Sequence, residues 1–204
     1  MKFLHRDCIK RIALVALLGT GTAIAADTPM TTGVIAETGL HYWEWDAQGV
    51  LFRLTQRLPD QTRAYFMARG FDSGSADLIA NRCVFQSMFK SIADPGGAAI
   101  SIDLDTWRIR SGGDEYRLVT REQWPDELQK NEISQAAAIA LEWSLLPTRQ
   151  VYEPSDYNWG MTSYGLKPGK IFDLDFSWER EGRVFKGHLK EVECAPDIHP
   201  DPEP

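Results

Sequence analysis

The residues of this 204-residue chain with the types and spacing for chemistry fall into four groups. The first is two carboxylate pairs, Asp103/Asp105 and Asp173/Asp175, each two residues apart in a β-like run. That spacing puts both carboxylates of a pair on one strand face, roughly 6.6 Å apart. A cation would fit there, and so would the acid pair of a cell-wall or sugar hydrolase. The intervening leucines would face a core, so the same pattern also describes the wet face of two strands.

The second group is the histidines. Beyond residue 25 these are His41, His188 and His199. A structural zinc site wants four Cys/His ligands at close spacing, which this chain does not offer. Thioether and imidazole ligands suffice for Cu(I). His41, Met161 and His188 therefore form a candidate copper set, conditional on the first and last hairpins lying side by side. No other cofactor is implied. G-x-S-x-G, H-E-x-x-H, Walker and G-x-G-x-x-G motifs are absent. The serine in Gly70-Phe-Asp-Ser-Gly74 sits where Asp and Ser cap a helix.

The third group is aromatic. Tyr152, Tyr157, Trp159, Met161 and Tyr164 lie among Asp156, Asn158, Gly160 and Gly165 with neither helical nor clean strand spacing. Residues 152–166 therefore read as a long irregular loop. Such loops are uncommon unless functional, and Trp and Tyr are favoured at recognition surfaces. These five residues are the candidate binding surface. The fourth group is Cys83 and Cys194, expected to form a disulfide. They lack C-x-x-C spacing, and an exported chain would pair them.

Export is read from the N-terminus. Lys2, His5, Arg6, Lys10 and Arg11 precede an apolar stretch, Ile12 to Ile24, broken by Gly19 and Gly21. Ala23-Ile24-Ala25 supplies the small residues of a cleavage site. Residues 1–25 thus read as a cleaved signal, too short and glycine-broken to span a bilayer, and the periplasm is the expected destination. No second apolar stretch of spanning length follows. The whole chain carries a net charge of −7; removing the four Lys/Arg and one Asp of residues 1–25 leaves 18 basic and 28 acidic residues, a net of −10. Nucleic acid is a poor partner for such a surface.

The elements that must position these groups follow from periodicity and turn signals. Residues 26–40 read as a flexible lead-in, 41–194 as a single domain and 195–204 as a Pro/Asp-rich tail. His41 to Leu58 reads as a hairpin turning at Gly49, with Trp45 opposite Leu51. Asp60 starts a short helix that stops at Gly70, and Asp72 or Ser73 starts a second that runs through Cys83 to Phe89. Strands are expected at 98–104, 106–110 and 115–120. Pro125 suits a first helical turn. A helix spans Gln135–Leu146, with Ala136, Ala140 and Trp143 on one face. Ile171–Glu179 and Arg183–Cys194 form a last hairpin about Gly182.

Trp43–Arg53 aligns without gaps to Phe176–Lys186, with Trp, acid, Gly, aliphatic, Phe and base in step. Two hairpins with one turn type and one cross-strand Trp pair account for this echo. The fold class is α+β: an antiparallel β-sheet or sandwich built from hairpins, with two to three packed helices. The function these features imply is an exported periplasmic accessory or binding protein without enzymatic activity, meeting a periplasmic protein or small ligand through residues 152–166. A copper-handling protein and a hydrolase are the alternatives.

Overall fold

A computed structural model gives the fold, and its described residues are 29–128 and 133–198. The signal-like segment 1–25 and His199 lie outside them. The strands are β1 (Met30–Val34), β2 (His41–Ala47), β3 (Val50–Gln56), β4 (Val84–Ser91), β5 (Ile100–Asp103), β6 (Arg108–Ser111), β7 (Asp114–Tyr116), β8 (Arg149–Tyr152), β9 (Tyr157–Ser163), β10 (Ile171–Arg180) and β11 (Arg183–Glu193). The helices are α1 (Pro59–Met67), α2 (Ser73–Ala80), α3 (Trp124–Glu127) and α4 (Gln135–Ser144).

One antiparallel sheet has the order β1-β2-β3-β4-β9. In the second, β10 pairs β11 along one edge and both β5 and β6 along the other. A single 3-10 turn at Leu104–Thr106 separates β5 from β6, so the two act as one interrupted strand. β8 and β7 complete that sheet outside them.

The sheets face each other across an aromatic core. Period-2 alternation sends Trp43, Trp45, Phe52, Phe85 and Phe89 inward from the first sheet, and Phe172, Phe176 and Trp178 inward from the second. Ring centroids lie 5.0 Å apart for Phe52–Trp107 and Phe52–Phe176, and 5.6 Å for Trp45–Phe176. Truncating any one of these to alanine would cost about 3–5 kcal/mol. A second cluster lies on the outer face of the first sheet. There Val84 and Met161 meet Phe66, Ile79, Trp124 and Leu141 of the helices. The helix layer thus covers one half of that face and leaves the other half open.

Both echoing hairpins use two-residue turns with positive φ at each central residue: Gln48 (55°) and Gly49 (83°), Glu181 (53°) and Gly182 (70°). This is the type I′ turn, whose twist matches that of the strands. It shifts the register expected for the first hairpin, so that Trp45 pairs with Phe52 rather than Leu51, just as Trp178 pairs with Phe185. The two hairpins are not neighbours in one sheet. They face each other from opposite sheets, with Trp45 and Trp178 6.4 Å apart.

Four other expectations are corrected. The second helix ends at Ala80, and the chain reverses at Cys83, whose φ of 51° no helix accepts. Residues 84–91 are then a strand between β3 and β9, so Cys83 leads into a strand and does not lie on a helix. The strand expected at 115–120 is only Asp114–Tyr116, with Val119 making an isolated bridge to Ser163. The lead-in contains β1, which closes the edge of the first sheet. The start of the tail is tied down: Ala195 is buried, and Asp197 meets Arg63 at 2.6 Å. Arg63 also bonds Asp60 and Asp77, both at 2.8 Å. The Asp197 bond is foremost in raising the Arg63 guanidinium further above its usual range.

Candidate functional site

The residues singled out in the sequence are scattered over the fold. Cys83 and Cys194 are bonded, with Cα atoms 5.2 Å apart, and join the entry of β4 to the residue after β11. Each carboxylate pair holds a base of this chain. Arg149 reaches Asp103 at 3.0 Å and Asp105 at 2.5 Å. His188 Nδ1 lies 2.6 Å from Asp175, which also accepts from Arg110. Asp173 accepts the Glu191 backbone N–H at 3.0 Å. The four carboxylates mark the outer, wet face of the second sheet.

The candidate copper ligands are not brought together. Met161 is buried among the helices. His41 opens β2, where its backbone N–H donates to Gln56 at 3.0 Å. His188 lies on the second sheet. Among the described residues no group of three or more His, Cys, Asp or Glu is placed to hold a metal, and no helix is long and apolar enough to cross a membrane.

The segment read as a loop is mostly strand. Tyr152 ends β8, and Tyr157, Trp159 and Met161 alternate along β9. Its aromatics divide sharply. Tyr152, Met161 and Tyr164 are buried, whereas Tyr157 and Trp159 are 58% and 57% exposed. Burial raises both inward phenols well above their usual range. The Tyr152 hydroxyl finds no hydrogen-bond partner among the described residues, and Tyr164 accepts from Thr162 at 3.2 Å. Of the five candidate surface residues, two remain on the surface.

They are joined by one that the sequence reading set on a shared helix face with Ala136 and Ala140 but did not count among the binding residues. Helix α4 buries Ala137, Leu141 and Ser144. Trp143 follows Leu141 by two residues, about 200° around the helix, and points away from the core with 83% of its surface exposed. Trp143 and Trp159 line one pocket of about 330 Å³ at the outer edge of β9, together with Arg121, Glu142, Pro147 and Asn158. Arg121 donates to the Leu145 carbonyl at 2.9 Å and sits 3.8 Å from Glu142. The Asn158 amide makes no side-chain hydrogen bond to another described residue.

Gly160 explains why α4 ends beside Trp159. A Cβ at this position would lie 2.4 Å from the Leu146 nitrogen and 2.7 Å from the Leu145 carbonyl carbon. Without one, residues 145–146 run against β9. Leu145 makes a parallel bridge with Met161, and the Leu146 N–H donates to the Met161 carbonyl at 2.9 Å. The backbone contact holds the last turn of α4, and Trp143 with it, against the edge that carries Trp159.

Arg121 and Glu142 also border an apolar groove of about 570 Å³ between α3 and α4. Its lining runs to Leu128 and Ile133, on either side of residues outside the description. Comparison with family models, curated proteins and solved structures found no match to the chain.

Proposed function

We propose that this chain is an exported binding module, without catalytic activity of its own, that recognises its ligand through Trp143, Tyr157 and Trp159 at the β9 edge of the first sheet. One observation carries the reading: two tryptophans from separate elements, 83% and 57% exposed, line one pocket. Exposed tryptophan leaves a large apolar area in water that a ligand can cover. Two indoles held against one pocket by a glycine-permitted backbone contact are a pre-organised contact surface, which lowers the cost of binding. Export is supported by the signal-like layout of residues 1–25 and by the disulfide, which belongs to oxidising compartments.

The test compares the chain with its Trp143→Ala/Trp159→Ala variant, each immobilised and exposed to a bacterial cell-envelope extract. Both side chains are largely exposed, so the variant should keep its melting temperature within about 2 °C. The parent should retain envelope material and the variant should not. Equal retention by both, or none by either, overturns the reading.

A further inference from the structure

We propose that the pocket between Trp143 and Trp159 takes a neutral glycan chain, with a pyranose ring against each indole face; the proposal rests on the binding surface described above. The first argument is the kind of surface on offer. Neither indole makes a ring contact with another described aromatic, and both are largely exposed. An aromatic face carries the negative part of the ring quadrupole, and the polarised C–H groups on one side of a pyranose complement it.

The second argument is what lines the pocket beside the indoles. A sugar ring is apolar on its faces and polar around its rim, where each hydroxyl both donates and accepts. The pocket repeats that arrangement. Glu142 supplies an acceptor and Arg121 donors. The Glu142 side chain is 60% exposed, and its contact with Arg121 is long, at 3.8 Å, which leaves carboxylate lone pairs for a ligand.

The third argument is charge. One acid and one base offset each other in the pocket, and the chain as a whole is acidic. An anionic ligand gains nothing from that field. A protein partner is disfavoured by the mixture of the groups. Protein hot spots place aromatic anchors in a dry centre with polar groups around them. Here Glu142 and Arg121 line the same pocket as the indoles, so a dry contact would strip water from the Glu142 carboxylate.

Tyr157 makes the ligand a chain rather than a single sugar. It lies two residues before Trp159 on the same face of β9, roughly 6.7 Å along the strand, and continues the aromatic row away from α4.

The experiment titrates the signal-free protein with chito- and cello-oligosaccharides of two, four and six units, following tryptophan fluorescence and calorimetry, and then probes a broad array of neutral glycans. Affinity for at least one glycan class should rise with chain length. Trp143→Ala and Trp159→Ala should each weaken it about tenfold or more. Tyr157→Ala should weaken the longest oligomer and leave the shortest unchanged. Glu142→Ala, which removes the pocket's exposed acceptor, should weaken all lengths.

Binding to no neutral glycan on the array, or to charged glycans alone, overturns the proposal. If the tryptophan-dependent retention of envelope material is then abolished by proteolysis of the extract, the binding surface stands and its ligand is a protein. If retention is absent as well, both readings fall. Glycan binding that Trp143→Ala and Trp159→Ala leave unchanged also removes both.

Discussion

The cross-link between Cys83 and Cys194 should dominate the stability of the oxidised fold. The two residues are 111 positions apart, and closing a loop of that size in the unfolded chain corresponds to about 4.8 kcal/mol in the chain-entropy model. For a chain of this length each kcal/mol moves the melting temperature by about 2–4 °C, so losing the bridge should lower it by roughly 10–20 °C. Packing adds a separate contribution, because both sulfurs are buried in the sandwich core. Calorimetry of three species separates the two effects. Oxidised against reduced parent isolates the cross-link, since the sulfurs stay in place. Reduced parent against Cys83→Ala/Cys194→Ala isolates the lost side-chain volume. The expected order of melting is oxidised, then reduced, then the double variant, with the larger gap between the first two. A reduced parent melting within about 3 °C of the oxidised protein would refute the loop argument. Two freely alkylated thiols in signal-free protein from an oxidising compartment would refute the bridge itself.

Two further perturbations address the site and its neighbours. Gly160→Ala drives a methyl group into the backbone at Leu145–Leu146, where no side chain can rotate aside. It should cost about 1–3 kcal/mol, read by denaturant titration, and alter the emission of Trp143 and Trp159. A variant of parental stability and emission would show that this close approach is not needed. Tyr152→Phe removes a buried hydroxyl that has no described partner, so it should be neutral or stabilising by up to about 1 kcal/mol. The phenol is raised by burial. Its contribution is therefore complete below the ordinary phenol value of about 10 and lost as pH rises from there through the raised one. Tyr152→Phe should accordingly move alkaline unfolding to higher pH, and an unchanged alkaline midpoint would count against that assignment.

Much of the sandwich can be read from sequence because its strands obey simple alternation. His41–Gln56 and Ile171–Glu193 place aromatic and aliphatic residues at every second position around glycine turns, and both form hairpins. The interior strand β4 is where that reading fails. β4 is covered on its inner face by the opposing sheet and on its outer face, at Val84, by the helices. Its sequence, Val84-Phe-Gln-Ser-Met-Phe-Lys-Ser91, puts apolar residues at 84, 85, 88 and 89, a spacing that fits a helix face and hides the strand alternation. Segment 157–163 fails for another reason. Its large residues, Tyr157, Trp159 and Met161, all leave the sandwich, while Asn158, Gly160 and Thr162 face inward. Read with the usual rule of apolar residues inside, such a strand has no pattern.

The same two departures build the candidate site. In α4 the residue most suited to burial, Trp143, is turned out, and Ala137, Leu141 and Ser144 are turned in. In β9 the position that would ordinarily carry a core side chain is Gly160, and the space is taken by the backbone of a neighbouring segment. Each choice weakens local structure. Glycine within a strand loses side-chain packing, and an exposed tryptophan gives up one of the largest burials available to the chain. Where every local preference agrees with the fold, sequence reasoning succeeds, and the places where it fails are expected to be functional. Here the departures converge on one pocket rather than scattering, through the hydrogen bond from Leu146 to Met161. An unsuited residue at one position can be accidental drift. Two unsuited residues on different elements, joined by a backbone contact that only one of them permits, favour a surface kept for recognition.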